Sequence, residues 1–268
     1  MNGFGNADLP IESWLDFLPL PLLFAFTFLF VVLAIRIGSW LARTAPDSSA
    51  GRESIGSVVG ATLGLLAFLL AFTFNMAAGR YDERKKLFLD DVNAIGTTYL
   101  RAGLLAEPYQ TEFRDLLRRY VDVRVTAIAD TEKLPAAIAE SGEIHDRMWS
   151  GAEKMLSERP PVITDSLYIT SLNEMIDIHE SRVAVGLLYR IPATIWIGLY
   201  AVAGLGMVVV GFQFGQSSGR TFLVNILLAT AFSAVILLIA DLDRAAEGTV
   251  MVGQEPLLEL QQRLDAQS

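Results

Sequence analysis

The chain contains no cysteine and only two histidines, and it has no lysine or arginine before Arg36. The absence of cysteine removes disulfides, thiolate metal sites and cysteine nucleophiles together. The histidines, His145 and His179, do not form a zinc-hydrolase helix. His179-Glu180-Ser181-Arg182-Val183 opens like one, but Val183 stands where the second histidine is required. A di-iron bundle needs Glu-x-x-His pairs, and Gly142 and Ile176 occupy the positions three before the two histidines. The sequence also has no Gly-x-x-x-x-Gly-Lys phosphate loop, so nothing in it points to an enzyme or a cofactor. Net charge is -9 and the basic residues form no long unopposed stripe, which argues against a nucleic-acid partner. The acidic start (Asp8, Glu12, Asp16) lacks the basic region of a secretory signal, so the first apolar helix is expected to be retained.

What is present is long apolar sequence. Of 268 residues, 52% are hydrophobic, and the mean hydropathy of +0.41 is too high for an ordinary water-soluble domain. Four stretches carry no charge: Phe17 to Ile35, Ser54 to Gly79, Ile191 to Gly219 and Thr221 to Ala240. About 20 apolar residues in a helix cross the hydrocarbon core, so all four can span. A Pro/Ser/Gly-containing loop, Thr44-Ala45-Pro46-Asp47-Ser48-Ser49-Ala50-Gly51, lies within the link from Arg36 to Glu53 and pairs the first two spans. The turn Gln216-Ser217-Ser218-Gly219-Arg220 pairs the last two.

Between the hairpins, apolar residues recur at spacings of three and four: Phe88, Val92, Ile95, Tyr99 and Ala102, then Tyr109, Phe113, Leu117, Tyr120 and Ala127. Met148, Ala152 and Met155 follow, then Ile169, Leu172, Met175 and Ile176, and finally Val183 and Leu187. Breaks are expected near Glu107-Pro108, Leu134-Pro135 and Arg159-Pro160-Pro161, giving about four helices. The fold expected is an all-α membrane protein with four transmembrane helices in two hairpins and a helical soluble domain inserted between the second and third. The segments are 1–16 (N-terminal), 17–79 (first hairpin), 80–190 (soluble insert), 191–240 (second hairpin) and 241–268 (tail). No breaker separates the second span from Arg80, so one helix of roughly 70 Å is expected from Ile55 to Ala102. Arg80, Arg84, Lys85, Lys86, Arg182, Arg190 and Arg244 flank the membrane on one side, against Arg36, Arg43, Arg52 and Arg220 on the other. The balance favours cytoplasmic termini and insert.

The second span is the most informative. Gly60, Gly64, Phe68 and Phe72 follow at i, i+4 steps, with Met76 next in the row. Small residues let helices pack closely in lipid, which accounts for the glycines by itself. A hydrophobic constriction built from the aromatic part of the row accounts for the phenylalanines. Thr73 and Asn75 add polar groups that suit either an interhelical hydrogen bond or a pore lining. Arg80, Asp82, Glu83, Arg84, Lys85 and Lys86 form a mixed-charge collar, either a solvated helix face or an ion-concentrating vestibule. Asp241, Asp243 and Glu247 bring carboxylates to the membrane edge. These are weak candidates for a divalent cation, and capping or ion pairing explains them as well.

Phe72 with Ala77-Ala78-Gly79-Arg80-Tyr81-Asp82-Glu83-Arg84-Lys85-Lys86-Leu87, and then Asn93-Ala94-Ile95-Gly96-Thr97-Thr98-Tyr99-Leu100-Arg101-Ala102, resemble the bacterial bestrophin-like domain family. Leu242-Asp243-Arg244 and Gln254-Glu255-Pro256-Leu257-Leu258 are similar to that family's end. Bestrophin channels themselves carry tryptophans where Tyr81 and Asp82 stand. The resemblance implies a homo-oligomer, a pentamer, in a bacterial inner membrane, whose second helices line a path for small ions. Its neck would fall at Phe68 and Phe72, with Leu65, Leu69 and Met76 as neighbours and Thr73, Asn75 and Arg80 as polar lining or vestibule residues. It places a calcium clasp after the fourth helix, at Asp241 and Asp243. Partners are then lipid, further copies of the chain and ions. A non-conducting scaffold or signalling adaptor, acting through the helical insert, is the alternative the residues leave open.

Overall fold

The computed structural model describes residues 18–44, 49–188, 190–216, 222–244 and 253–267. Among these residues there are eight α-helices and no strand: α1 (Leu20–Thr44), α2 (Ser49–Ala102), α3 (Tyr109–Ala129), α4 (Leu134–Glu158), α5 (Ile163–Val183), α6 (Ala193–Gly215), α7 (Phe222–Asp243) and α8 (Glu255–Asp265). Short 3₁₀ and π turns lie at Thr131–Lys133 and Ala184–Leu188. α1, α2, α6 and α7 are long and apolar enough to cross a membrane, as expected. α2 is continuous over 54 residues, about 80 Å.

Two expectations about element ends need correction. α1 runs on past Ile35 to Thr44, and α2 begins at Ser49, so helix takes up much of the stretch expected as a connecting loop. A charge does not stop a helix, because the long stems of Arg36 and Arg43 can carry their heads to the interface. The tail, for which no element was expected, contains α8, whose Leu257, Leu260 and Leu264 are buried. Their i, i+3, i+7 edge is real but spans only 11 residues, too short to stand out beside bilayer-length runs. The acidic start, Asp47 and Ser48, the 217–220 turn and Glu247 lie outside the described residues.

The chain divides into two compact units. In the apolar unit, α1 and α6 pack at backbone contact. A Cβ added to Gly38 would stand 1.9 Å from the Val208 carbonyl oxygen, and one on Gly211 would stand 2.1 Å from that of Ile35. Without a hydrophobic drive between helices in lipid, such close approach and the polar contacts it permits hold the helices together. The Ser39 hydroxyl donates to the Gly211 carbonyl at 2.9 Å, and the Thr27 and Tyr200 hydroxyls are 2.7 Å apart. Leu23, Val31, Ile35, Trp196, Ala203, Met207, Ile236 and Ile239 fill the rest of this core.

The second unit contains the water-side end of α2, α3, α4, α5 and α8 around a core rich in Tyr, Phe and Met, with Tyr99, Tyr120, Tyr168, Phe113, Met148, Met155 and Met175 all fully buried. The Phe113 and Tyr168 rings stack at 4.7 Å. The prolines act at helix starts: Pro135 falls in the first turn of α4, and the Pro160-Pro161 break precedes α5. Asp165 fixes the α5 start by accepting the Val162 amide at 2.9 Å and two Arg159 guanidinium bonds at 2.7 Å.

Replacing Gly211 by Val should cost about 1–3 kcal/mol through overpacking against the α1 backbone, lowering the melting temperature of the detergent-purified chain. Gly142→Ala, where nothing lies within 4 Å of the added carbon, should leave it nearly unchanged.

Candidate functional site: the uncovered face of α2

Among the four spans α2 is the least covered. Only 11% of its apolar window is buried, against 28% for α1, 44% for α6 and 28% for α7. What remains uncovered is one face. Gly60, Gly64, Phe68, Ala71, Phe72, Asn75 and Gly79 are exposed along it, with Phe68 at 67% and Phe72 at 55%. On the opposite side Val59, Leu66, Thr73 and Ala77 are buried, and Leu66 and Ala77 belong to the core of the apolar unit. Gly60, Gly64 and Gly79 have nothing within 4 Å of an added Cβ, so space is open over them.

The structure sorts the expected site residues into two groups. Phe68, Phe72 and Asn75 share the uncovered face, with Leu65, 51% exposed, on its flank. Leu69 and Met76 turn the other way and pack on the core. Thr73 is 2% exposed, and its hydroxyl donates at 2.8 Å to the Leu69 carbonyl of its own helix. Met76 thus leaves the row in which the sequence placed it. Four residues turn a helix by 400°, so an i, i+4 row drifts by about 40° per step, and four steps from Gly60 carry it off the face. The face continues instead through Asn75 and Gly79, a 4-3-4 spacing from Phe68.

Arg80, one residue past Gly79, is engaged by Asp243. The Arg80 guanidinium lies 3.4 Å from the Asp243 carboxylate, whose two oxygens also accept the Ile191 amide at 3.2 and 3.1 Å. Arg190 donates to the Asp243 carbonyl at 2.9 Å, and Arg244 donates to the Leu18 carbonyl at 2.5 Å. This cluster ties the middle of α2, just past its apolar stretch, and the end of α7 to the approach to α6. Asp243, 5% exposed, is therefore seated as a structural carboxylate; Asp241 is buried to the same degree, and among the described residues no group of three or more His, Cys, Asp or Glu is arranged to hold a metal ion.

A second polar cluster, in the water-side unit, was not foreseen because its members are far apart in the sequence. The Asp91 carboxylate, fully buried, takes Arg124 at 2.5 Å and Arg182 on one oxygen. Arg124 donates to the Tyr120 hydroxyl at 2.9 Å, and that hydroxyl lies 2.9 Å from His179 Nδ1. The His145 ring meets His179 edge-on at 4.8 Å. With Arg124 donating to it, the tyrosine gives its own proton to His179 Nδ1, which must then be unprotonated. Burial, assisted by His179 and Arg124, pushes His145 down to about 3, and burial with Arg124 pushes His179 down to about 4. The cluster joins α2, α3, α4 and α5, and its chemistry is that of a packed core.

The folded core holds both imidazoles neutral, while the unfolded chain takes up protons below about pH 6.5, the ordinary value. Stability should therefore be flat above pH 6.5 and fall as pH drops from there toward 4, by up to about 1.4 kcal/mol per pH unit for each histidine. Thermal melts from pH 7.5 to 5 should show this slope, and His145→Gln should reduce it. Asp243→Asn should cost about 1–3 kcal/mol in the same melts at pH 7.5, since it leaves Arg80 without its anionic partner.

A family model described as "Bestrophin-like domain" matches residues 24–257. No curated protein matches the chain. Among solved structures, the chain is similar to a bacterial bestrophin homologue from Klebsiella pneumoniae, phased from zinc, with TM-score 0.63 and 14% identity over 92% of this chain and 97% of that one. Two single-site variants described as the same homologue match with TM-scores of 0.62 and 0.61 at 15% and 14% identity, covering 92% of this chain and 97% and 98% of theirs.

Proposed function

Since the chain belongs to the Bestrophin-like family, we propose that it is a channel-like membrane protein that assembles as a homo-oligomer, a pentamer by the family resemblance, and passes small ions along an axis lined by α2. The observation that carries this reading is the content of the uncovered α2 face. Phe68 and Phe72 are accompanied there by glycines and by the Asn75 amide. A face turned to acyl chains has no use for an amide or for a row of glycines, whereas a face turned to other copies and to a narrow aqueous axis has use for both. Phe68 and Phe72, one helical turn apart, would make stacked apolar rings that restrict flow by dewetting. The clustered Arg80–Asp243 contact just beyond would hold the α2 exit against the second hairpin.

The bacterial inner membrane fits the family, and the arginine and lysine balance supports a cytoplasmic water-side unit and termini. No catalytic role or resident cofactor is part of this reading. A second reading, a non-conducting scaffold, draws on the water-side unit, where Ile163 is 80% exposed and Leu100 and Leu104 are 62% and 57% exposed. Side chains of that kind in water suit a protein partner.

Reconstituted into liposomes, the Phe68→Ala/Phe72→Ala double variant should leak salt on the order of tenfold faster than the parent. Assembly of both is checked by particle imaging of the detergent-purified protein, which should show a closed ring with α2 at its centre. An assembled double variant with parental leak, or an axis sealed by lipid or packed side chains, would shift the assignment to the scaffold.

A further inference from the structure

The uncovered α2 face carries one amide, and its placement bears on which ions would pass. Two threonine hydroxyls of the span are turned back onto their own helix: Thr62 donates to the Val58 carbonyl and Thr73 to that of Leu69, each at 2.8 Å. Asn75 has no such arrangement. It is exposed three residues beyond Phe72, and no hydrogen bond within the described residues takes up its amide. It is also the last side chain on this face before Gly79, which has no side chain; farther along α2 the same face carries the exposed Asp82, Glu83 and Lys86.

Resting on the pore reading above, we propose that Asn75 is the specificity-determining residue of the path, and that its ligands are small monovalent ions of either sign. An ion leaving an apolar constriction has lost part of its hydration and needs polar ligands within one helical turn. A ring of asparagines supplies carbonyl oxygens to a cation and N–H₂ groups to an anion, without net charge to reject either. The nearest charged group in the sequence, Arg80, is engaged by Asp243 and so adds little field of its own, and the exposed Asp82, Glu83 and Lys86 farther along α2 carry both signs of charge rather than one. The path is therefore weakly charge-selective, and selectivity can be written onto it at this one position.

The test uses the full chain in planar bilayers under a KCl gradient, with Phe68→Ala/Phe72→Ala as the conducting background. Asn75→Asp in that background should raise the potassium-to-chloride permeability ratio at least fivefold, since the Boltzmann factor of one unit charge at about 4 Å in water is about five for potassium alone and chloride is repelled as well. Asn75→Lys should shift it comparably toward chloride, so the position is read even where one variant does not assemble. Asn75→Leu should lower the current without moving the ratio. If the background conducts and neither charged variant moves the ratio, Asn75 does not face the ions and this inference is overturned while the pore reading stands. If the background itself does not conduct, the pore reading falls and takes the inference with it.

Discussion

The apolar unit depends on the backbone contact between α1 and α6. Glycines at 38 and 211 bring each helix against a carbonyl of the other, and the contact leaves no room for even one methyl group. In hydrocarbon, where burying leucine against leucine gains little over burying it against lipid, this contact and the hydroxyl bonds beside it do the work that hydrophobic burial does in water. The rest of the unit follows from it. α7 packs on α1, the core residues of α6 and α7 fill in, and α2 joins along one side through Leu66 and Ala77, so that its other side has no partner among the described residues.

The water-side unit rests on different physics. Its core is aromatic and sulfur-rich, and it encloses a network in which Asp91 offsets two arginines and a tyrosine hydrogen-bonds a neutral histidine. Burying Asp91 is tolerable because Arg124 and Arg182 share one of its oxygens; removing either would leave a charge with incomplete compensation. The two histidines illustrate how motif reasoning and packing answer different questions. Spacing along the chain excluded a zinc helix and a di-iron bundle, and the structure gives the pair a positive role as neutral core residues that meet edge to face.

Asp243 shows a similar division. Its position after the fourth span marks it for attention, and carboxylates at a membrane edge suit either a cation or an ion pair. The Ile191 amide and the Arg80 guanidinium, both within 3.4 Å, give the carboxylate a structural task. None of these partners is near Asp243 in the chain, so only the folded arrangement reveals them.

The sequence alone determined the class, the number of spans, the helical insert and the continuity of α2. Each follows from local rules: a bilayer demands about 20 uncharged residues per helix, a 3.6-residue period shows as apolar spacing, and proline marks helix starts. It also named Phe68, Phe72 and Asn75 among its candidates, but it put Met76 rather than Asn75 in the row of the phenylalanines. Tertiary structure alone decided that Thr73, Leu69 and Met76 belong to the packed side, that the terminal leucines form a docked helix, and that Asp91, Tyr120, His145 and His179 meet in one core. The physical reason is the same in each case. Period and composition specify which residues share a stripe of a helix, but which stripe is covered depends on where the neighbouring helices lie, and that is set by contacts between residues distant in the chain.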